Sequence, residues 1–226
     1  MLSPTNYPDW DPNLFDKQDD TPDALFYRQA RKVVHIDDVA IVAATQLYAE
    51  VLPAGGRILD LMSAWRSHLP AAVAYASVTG LGMNADELAD NPQLSSFVLH
   101  DLNADPRLPF ADGSFDGACC TVSVQYLQKP VEVFREVARA LTPGAPFAVT
   151  FSNRCFPSKA VGVWNALDDQ DHMKLVTIYF QASKAWNAVH MQRRTDSGRR
   201  GDPLLAVWGW THARPDSPNR EDHGNT

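Results

Sequence analysis

From residue 57 onward, short continuous apolar runs alternate with stretches of helical period. Arg57-Ile58-Leu59-Asp60-Leu61 reads as a buried strand, and Pro70–Ala76 as the helix that follows it. A second strand over 78–83 and a short helix over 85–89 come next, the helix halted by Asn91-Pro92. Strands are expected over 96–100, 115–122 and 146–151. A helix opens at Pro130 and carries Val133, Phe134, Val137 and Leu141 on one face. Another runs through Met173, Leu175, Val176, Ile178, Tyr179 and Phe180. Two extended runs, 186–192 and 204–210, flank a polar stretch and read as an antiparallel hairpin. Strands alternating with helices imply a parallel sheet with right-handed crossovers. The expected fold is therefore α/β and Rossmann-like: a doubly wound, mostly parallel seven-stranded sheet ending in an antiparallel hairpin.

Upstream, residues 1–20 are rich in Pro, Asp and Asn without apolar period, so they read as a flexible arm. Trp10 and Phe15 are its candidates for packing on the body. Residues 21–55 read as an N-terminal helical lid segment, with Asp37 or Asp38 capping a helix. Val39, Val42, Ala43, Leu47, Tyr48 and Val51 form that helix's expected apolar face. Residues 56–212 make the Rossmann-like domain, and the polar, Pro-rich stretch 213–226 is expected to be a disordered tail.

Composition narrows the function. With 226 residues, 45% hydrophobic and 21% charged, the chain can bury a core without disulfides. A net charge of −7 argues against a general nucleic-acid binder, because phosphate neutralisation needs a basic face. The pairs Arg193-Arg194 and Arg199-Arg200 are read as a solvated loop. Three cysteines form neither a disulfide framework nor a metal-ligand spacing, so no metal is expected. Cys119 and Cys120 are neighbours on a strand and should face opposite sides of the sheet. No signal pattern or membrane-length apolar run is seen, and the expected location is cytoplasmic, without a membrane partner.

The organising stretch is Gly56–Pro70, GRILDLMSAWRSHLP: a strand, an abrupt turn and an expected helix. In α/β sheets the crevice at such a strand's carboxyl end is where a nucleotide binds. Asp101–Asp116, DLNADPRLPFADGSFD, is similar to the D-x-x-x-LPF-x-DGSFD signature of class I S-adenosylmethionine-dependent methyltransferases of the ubiquinone/menaquinone-biosynthesis type. Glu136–Gly144 resembles the same family's E-x-x-R-x-L-x-P-G helix end. The first motif, DLMSAWRSHLP, and the segment FYRQARKVVHID resemble a plant and cyanobacterial subset of uncharacterised methyltransferase-like proteins, with Ala30 where that subset has proline.

The resemblance implies S-adenosyl-L-methionine as cofactor and a small-molecule acceptor. It places the cofactor against Asp60, Met62, Ser63, Trp65 and Arg66 in the first turn, against Gly82, Met83 and Asn84 after the second strand, against Asp101 and Leu102 after the third, and against Gln125 after the fourth. Asp101 would accept from the adenine amino group. Two departures stand out. Met62, Ala64 and Arg66 occupy the positions of the family's glycines, and a non-glycine residue in left-handed conformation costs roughly 1–2 kcal/mol. Gly82 stands where the family has the acid that holds the ribose hydroxyls. Gly82 is expected to offset the bulk of Met62, Asn84 to reach a ribose hydroxyl, and Arg66 to pair with the methionine carboxylate.

For chemistry, His35 is the candidate base and Tyr27 a second catalytic candidate. His68, Tyr126, Asn153 and Arg154 are expected around the same rim. The H-E-x-x-H and G-x-S-x-G patterns are absent. The competing reading is a catalytically inactive, methyltransferase-like binding protein. A nicotinamide oxidoreductase is disfavoured because its G-x-G-x-x-G fingerprint is missing.

Overall fold

A computed structural model describes residues 10–195 and 201–213. Its helices are α1 (Asp23–Phe26), α2 (Asp38–Val51), α3 (Ala85–Ala89), α4 (Pro130–Ala140), α5 (Gly162–Asn165) and α6 (Asp169–Ser183). Its strands are β1 (Arg57–Leu61), β2 (Ser77–Gly82), β3 (Ser96–Leu99), β4 (Gly117–Thr121), β5 (Pro146–Phe151), β6 (Trp186–Arg193) and β7 (Leu205–Thr211). They form one seven-stranded sheet in the order β3-β2-β1-β4-β5-β7-β6. The first five are parallel, and β7 inserts antiparallel between β5 and β6. The expected architecture is the observed one, and the order reverses between β1 and β4, where a crevice opens at the strands' carboxyl ends.

β5 is buried along its whole length, as a strand covered on both faces must be. The adjacent cysteines of β4 divide between the two faces: Cys120 joins the cluster with Phe134, Phe147 and Phe180, and Cys119 the cluster with Ala44 and Tyr48. On the first face α4 and α6 pack aromatic against aromatic, with Phe134 and Phe180 at 4.8 Å between ring centroids. On the second lies α2. Its buried stripe is Ala40, Ala43, Ala44, Leu47 and Tyr48, so Val39 and Val42, expected on the apolar face, are exposed instead. Small alanines let the helix approach the sheet closely. Tyr48 Oη then bridges Thr121 Oγ1 (2.6 Å) and Thr150 Oγ1 (2.9 Å).

The helix expected over Pro70–Ala76 does not form; residues 62–76 cross from β1 to β2 as loop and turn. The segment's main chain bonds elsewhere: Ala74 O accepts from Gly55 N (2.7 Å), and Ala76 N donates to Gly56 O (3.0 Å). Gln93 brackets Leu69, donating to its carbonyl at 2.8 Å.

The arm is also held more firmly than expected over residues 10–20. Phe15 is buried, Trp10 lies against Phe15 and Tyr179, and Gly162 N donates to Asp16 O (2.8 Å). Lys159, completely buried, donates to Thr21 O (2.6 Å) and lies 3.3 and 3.5 Å from carboxylate oxygens of Asp19 and Asp23. The arm's hold thus comes from single contacts that leave no period to read. Arg193 and Arg194 are likewise not merely solvated: they pair with Asp169 (2.8 Å) and Glu50 (2.6 Å). The expected tail lies outside the described residues from 214 on, as do Arg199 and Arg200.

Removing Lys159 takes a buried cation and its hydrogen bond to Thr21 O from beneath the arm, while Asp23 keeps its ion pair with Lys17 (2.5 Å). Lys159→Ala is expected to lower unfolding stability by about 3 kcal/mol in urea denaturation, and to speed proteolytic cleavage in the segment before α1. A loss no larger than that of a surface lysine would show that Lys159 does not anchor the arm.

Candidate functional site

The crevice above β1, β2, β3 and β4 encloses a cavity of about 550 Å³, roofed by residues 27–37 and closed at one side by Cys155 and Phe156. Its floor is the turn after β1. Met62 adopts φ 56°, the left-handed conformation that glycine normally supplies there. Ser63 N then donates to Leu81 O (2.8 Å), so the turn stays laid along β2. That course explains Gly82. A Cβ there would meet the Ser63 carbonyl oxygen at 2.3 Å, so backbone of the first turn, not the Met62 side chain, demands the glycine.

Asp60 holds the turn shut. Its Oδ2 accepts from Ser63 Oγ (2.5 Å) and Ser67 Oγ (2.6 Å), while Cys119 Sγ lies 3.6 Å from Oδ1. Asn91 Nδ2 adds bonds to Ser67 Oγ and Ala64 O, both 2.8 Å. Burial pushes the Asp60 carboxyl up to about 6, against the downward pull of the two hydroxyls. After Met62 the chain therefore needs no further glycine at Ala64 or Arg66; its next left-handed residue is His68 (φ 56°), whose carbonyl accepts from Thr45 Oγ1 at 2.9 Å. Val122, at the end of β4, is a third (φ 50°). All three line the cavity, and strain of this kind persists only where the surroundings over-determine it.

The roof is latched to this floor. Trp65 Nε1 donates to Val33 O (2.9 Å), and Arg66 stacks on the Trp65 ring at 3.9 Å. Asn84, expected at a ribose hydroxyl, is engaged otherwise: its Nδ2 donates to Tyr27 O (2.9 Å) and Arg28 O (3.2 Å), and its Oδ1 caps α3 at Glu87 N (3.0 Å). Glu87 Oε1 accepts from Arg31 N (2.6 Å).

Of the expected residues, Tyr27, His35, Asp60, Met62, Ser63, Trp65, Arg66, Gly82, Met83, Asn84, Asp101 and Leu102 all line the one cavity, with His68, Tyr126 and Arg154. Gln125 does not: fully buried, it turns back to donate from Nε2 to Val122 O (2.8 Å). The short 3₁₀ turn Val124–Tyr126 presents Tyr126 to the cavity instead. Asn153 is also outside the lining. Asp101 Oδ1 closes an Asx turn onto Asn103 N (2.9 Å) and Ala104 N (3.3 Å). Its Oδ2 takes no hydrogen bond among the described residues.

His35 is exposed as a residue, yet its ring stands edge-on to Phe156 at 5.5 Å. Desolvation lowers its pKa below the ordinary imidazole value, against an upward pull from the Glu87 carboxylate and with the Arg31 guanidinium adding to the lowering. His68 is lowered too, by burial and then by His35 and Arg66. Burial pushes Tyr27 well above the ordinary phenol, with Tyr126 and Asp23 adding to it, so Tyr27 can donate but is no base. Arg31, Glu87, Ser67 and Asn91 were not legible as site residues, because their role is to shape and latch rather than to repeat a motif.

Residues 63–149 match the model of the methyltransferase domain family. The methyltransferase phqN of Penicillium fellutanum is 34% identical over 103 residues; the match covers 42% of this chain and only 32% of that protein. In fold, the chain resembles the methyltransferase bound to the Trm112 activator in a Haloferax volcanii complex (TM-score 0.60, 16% identity, 80% of this chain and 92% of that one). It also resembles Haemonchus contortus phosphoethanolamine N-methyltransferase 2 in complex with S-adenosyl-L-methionine (TM-score 0.53, 11% identity, 76% and 52%). Residues 63–149 thus resemble a methyltransferase domain, and the sheet as a whole has the fold of those two solved structures. No helix among the described residues is long and apolar enough to cross a membrane, and no cluster of potential metal ligands occurs among them.

Because the folded-state pKa of Asp60 is raised, its stability contribution is fully present below about pH 4 and is lost as pH rises through about 6. Chemical denaturation of Asp60→Asn across pH 4 to 7 should show that decline flattened; a slope equal to the wild type's would refute the raised carboxyl. Gly82→Ala should lower stability by about 1–3 kcal/mol in the same measurement. A neutral substitution would mean that the Ser63 carbonyl does not sit there.

Proposed function

We propose that this chain transfers a methyl group from S-adenosylmethionine to a small-molecule acceptor that enters beneath residues 27–37. The observation that carries the reading is Asp101, a cavity-lining carboxylate at the end of β3 with an acceptor oxygen not engaged by the described residues. A cavity of about 550 Å³ suits a nucleoside-sized ligand beside a small acceptor. The residues present therefore fit the adenosyl end of the cofactor.

When bound, the cofactor supplies an electron-poor methyl carbon on a sulfonium. The protein's own part is to hold, orient and dry the site. Asp101 accepts from the adenine amino group, beside Leu102. Met62, Ser63 and Met83 form the wall, and Trp65 covers it. Arg66, exposed and stacked on Trp65, is placed to pair with the methionine carboxylate. His35, neutral at physiological pH by its lowered pKa, takes the proton from an oxygen or nitrogen acceptor. Tyr27, held as the phenol, donates a hydrogen bond to the acceptor, and Phe156 and Tyr126 help exclude water.

The motif DLMSAWRSHLP and the segment FYRQARKVVHID support placement in the plant and cyanobacterial subset. The unusual turn is then systematic to that subset. Three free cysteines agree with a reducing compartment, and we assign the cytoplasm. A second reading, a binding protein without transfer activity, is favoured by the Ser63 carbonyl packed over Gly82, which leaves no room for the usual ribose-binding acid.

Calorimetric titration with S-adenosylhomocysteine tests the leading reading. The Asp101→Asn variant keeps the Oδ1 that closes the turn but offers the adenine amino group a donor in place of an acceptor. Its affinity should fall at least tenfold, the loss of about 1.5–3 kcal/mol expected for a hydrogen bond to a charged group. Unchanged affinity would refute Asp101 as the adenine contact, and no detectable heat for wild-type protein near millimolar ligand would favour the second reading.

A further inference from the structure

We propose that Glu87 replaces the missing acid at the ribose end of the cofactor and couples its occupancy to the roof; this rests on the cofactor reading above. A vicinal diol offers two adjacent O–H donors and is held best by a carboxylate, which can accept several hydrogen bonds at once. Position 82 cannot supply one, since any side chain there meets the Ser63 carbonyl. Asp60 is closed off by two serine hydroxyls on one oxygen and the Cys119 thiol beside the other. Asn84 has its amide on Tyr27 and Arg28 and its oxygen on the α3 cap.

Glu87 follows on the first turn of α3, lines the same cavity and is half-buried. One of its oxygens accepts from Arg31 N at 2.6 Å. The other takes no hydrogen bond among the described residues. The carboxylate is thus half engaged by the roof and half available to the cavity, with a longer side chain that makes up for its later position in the chain. A diol on the available oxygen fixes the carboxylate's rotamer, and with it the acceptor on which the Arg31 amide rests. The ribose hydroxyls and the roof share one side chain.

The test compares S-adenosylhomocysteine with its 2′,3′-dideoxy analogue by calorimetry, on wild-type protein and Glu87→Gln. Glutamine keeps an acceptor for Arg31 N, and a thermal melt checks that the variant is folded. Wild-type protein is expected to prefer the diol-bearing ligand tenfold or more. The variant should lose most of that preference, to below threefold, while binding the dideoxy analogue as wild type does. Hydrogen exchange at residues 31–35 should slow on adding S-adenosylhomocysteine to wild type and much less on adding the analogue. An unchanged preference in the variant, equal affinity losses for both ligands, or wild-type protein that binds both equally would each overturn Glu87 and leave the cofactor reading intact. Wild-type protein that binds neither ligand overturns the cofactor reading and the proposal with it.

Discussion

One carboxylate sets the shape of the site. Asp60, at the end of the central strand β1, accepts from the hydroxyls of Ser63 and Ser67 and so closes a loop that would otherwise need several glycines. Glycine turns work by permitting unusual backbone. This turn works by binding its polar side chains inward, with a single left-handed residue at Met62 to start it. The consequence spreads outward. The pinned loop lies along β2, its Ser63 carbonyl demands Gly82, and Gly82 in turn removes the acid from its usual place. The two departures that look independent in the sequence are one device.

That linkage also explains what could and could not be read beforehand. The sheet was legible, because buried strands and the helices α4 and α6 announce themselves by apolar period and by proline and glycine boundaries. Most of the cavity's lining was legible too, since a strand's carboxyl end fixes where the following residues stand. The loop from 62 to 76 was not: its alanines suggest helix, but its backbone partners come from Gly55, Gly56 and Gln93, far from any local pattern. Of the neighbours Gln125 and Tyr126, both expected at the site, the 3₁₀ turn delivers only Tyr126 to the cavity. Asn84 was assigned to ligand when its donors and acceptor all serve the protein. Contacts of high sequence separation, like those of Lys159 to the arm, leave no trace in composition or period.

The strain is concentrated where the chemistry would be. Met62, His68 and Val122 are three non-glycine residues with positive φ, drawn from the ends of β1 and β4 and the loop between β1 and β2. Val122 is β-branched, which makes the conformation costlier still. Tyr48 binds Thr121 and Thr150, shares a core cluster with Val122, and so supports the strained corner, where Val122 N donates to Thr150 O (2.8 Å). Rigid floor and latched roof differ in kind: the first rests on buried side chains, the second on hydrogen bonds and an ion pair at the cavity edge with Ile36 as its buried anchor.

The latch has an evolutionary corollary. Trp65, Asn84 and Glu87 all grip the roof by its main chain, at Val33 O, Tyr27 O with Arg28 O, and Arg31 N. Amide and carbonyl groups are common to every residue type except for the N–H that proline lacks. The side chains at these positions can therefore be exchanged without undoing these bonds, while Ile36, Lys32 and Asp37 hold the roof by their side chains. A scaffold arranged in this way can diversify the molecules it admits by drift at the remaining positions of one short segment, while the floor beneath stays as it is.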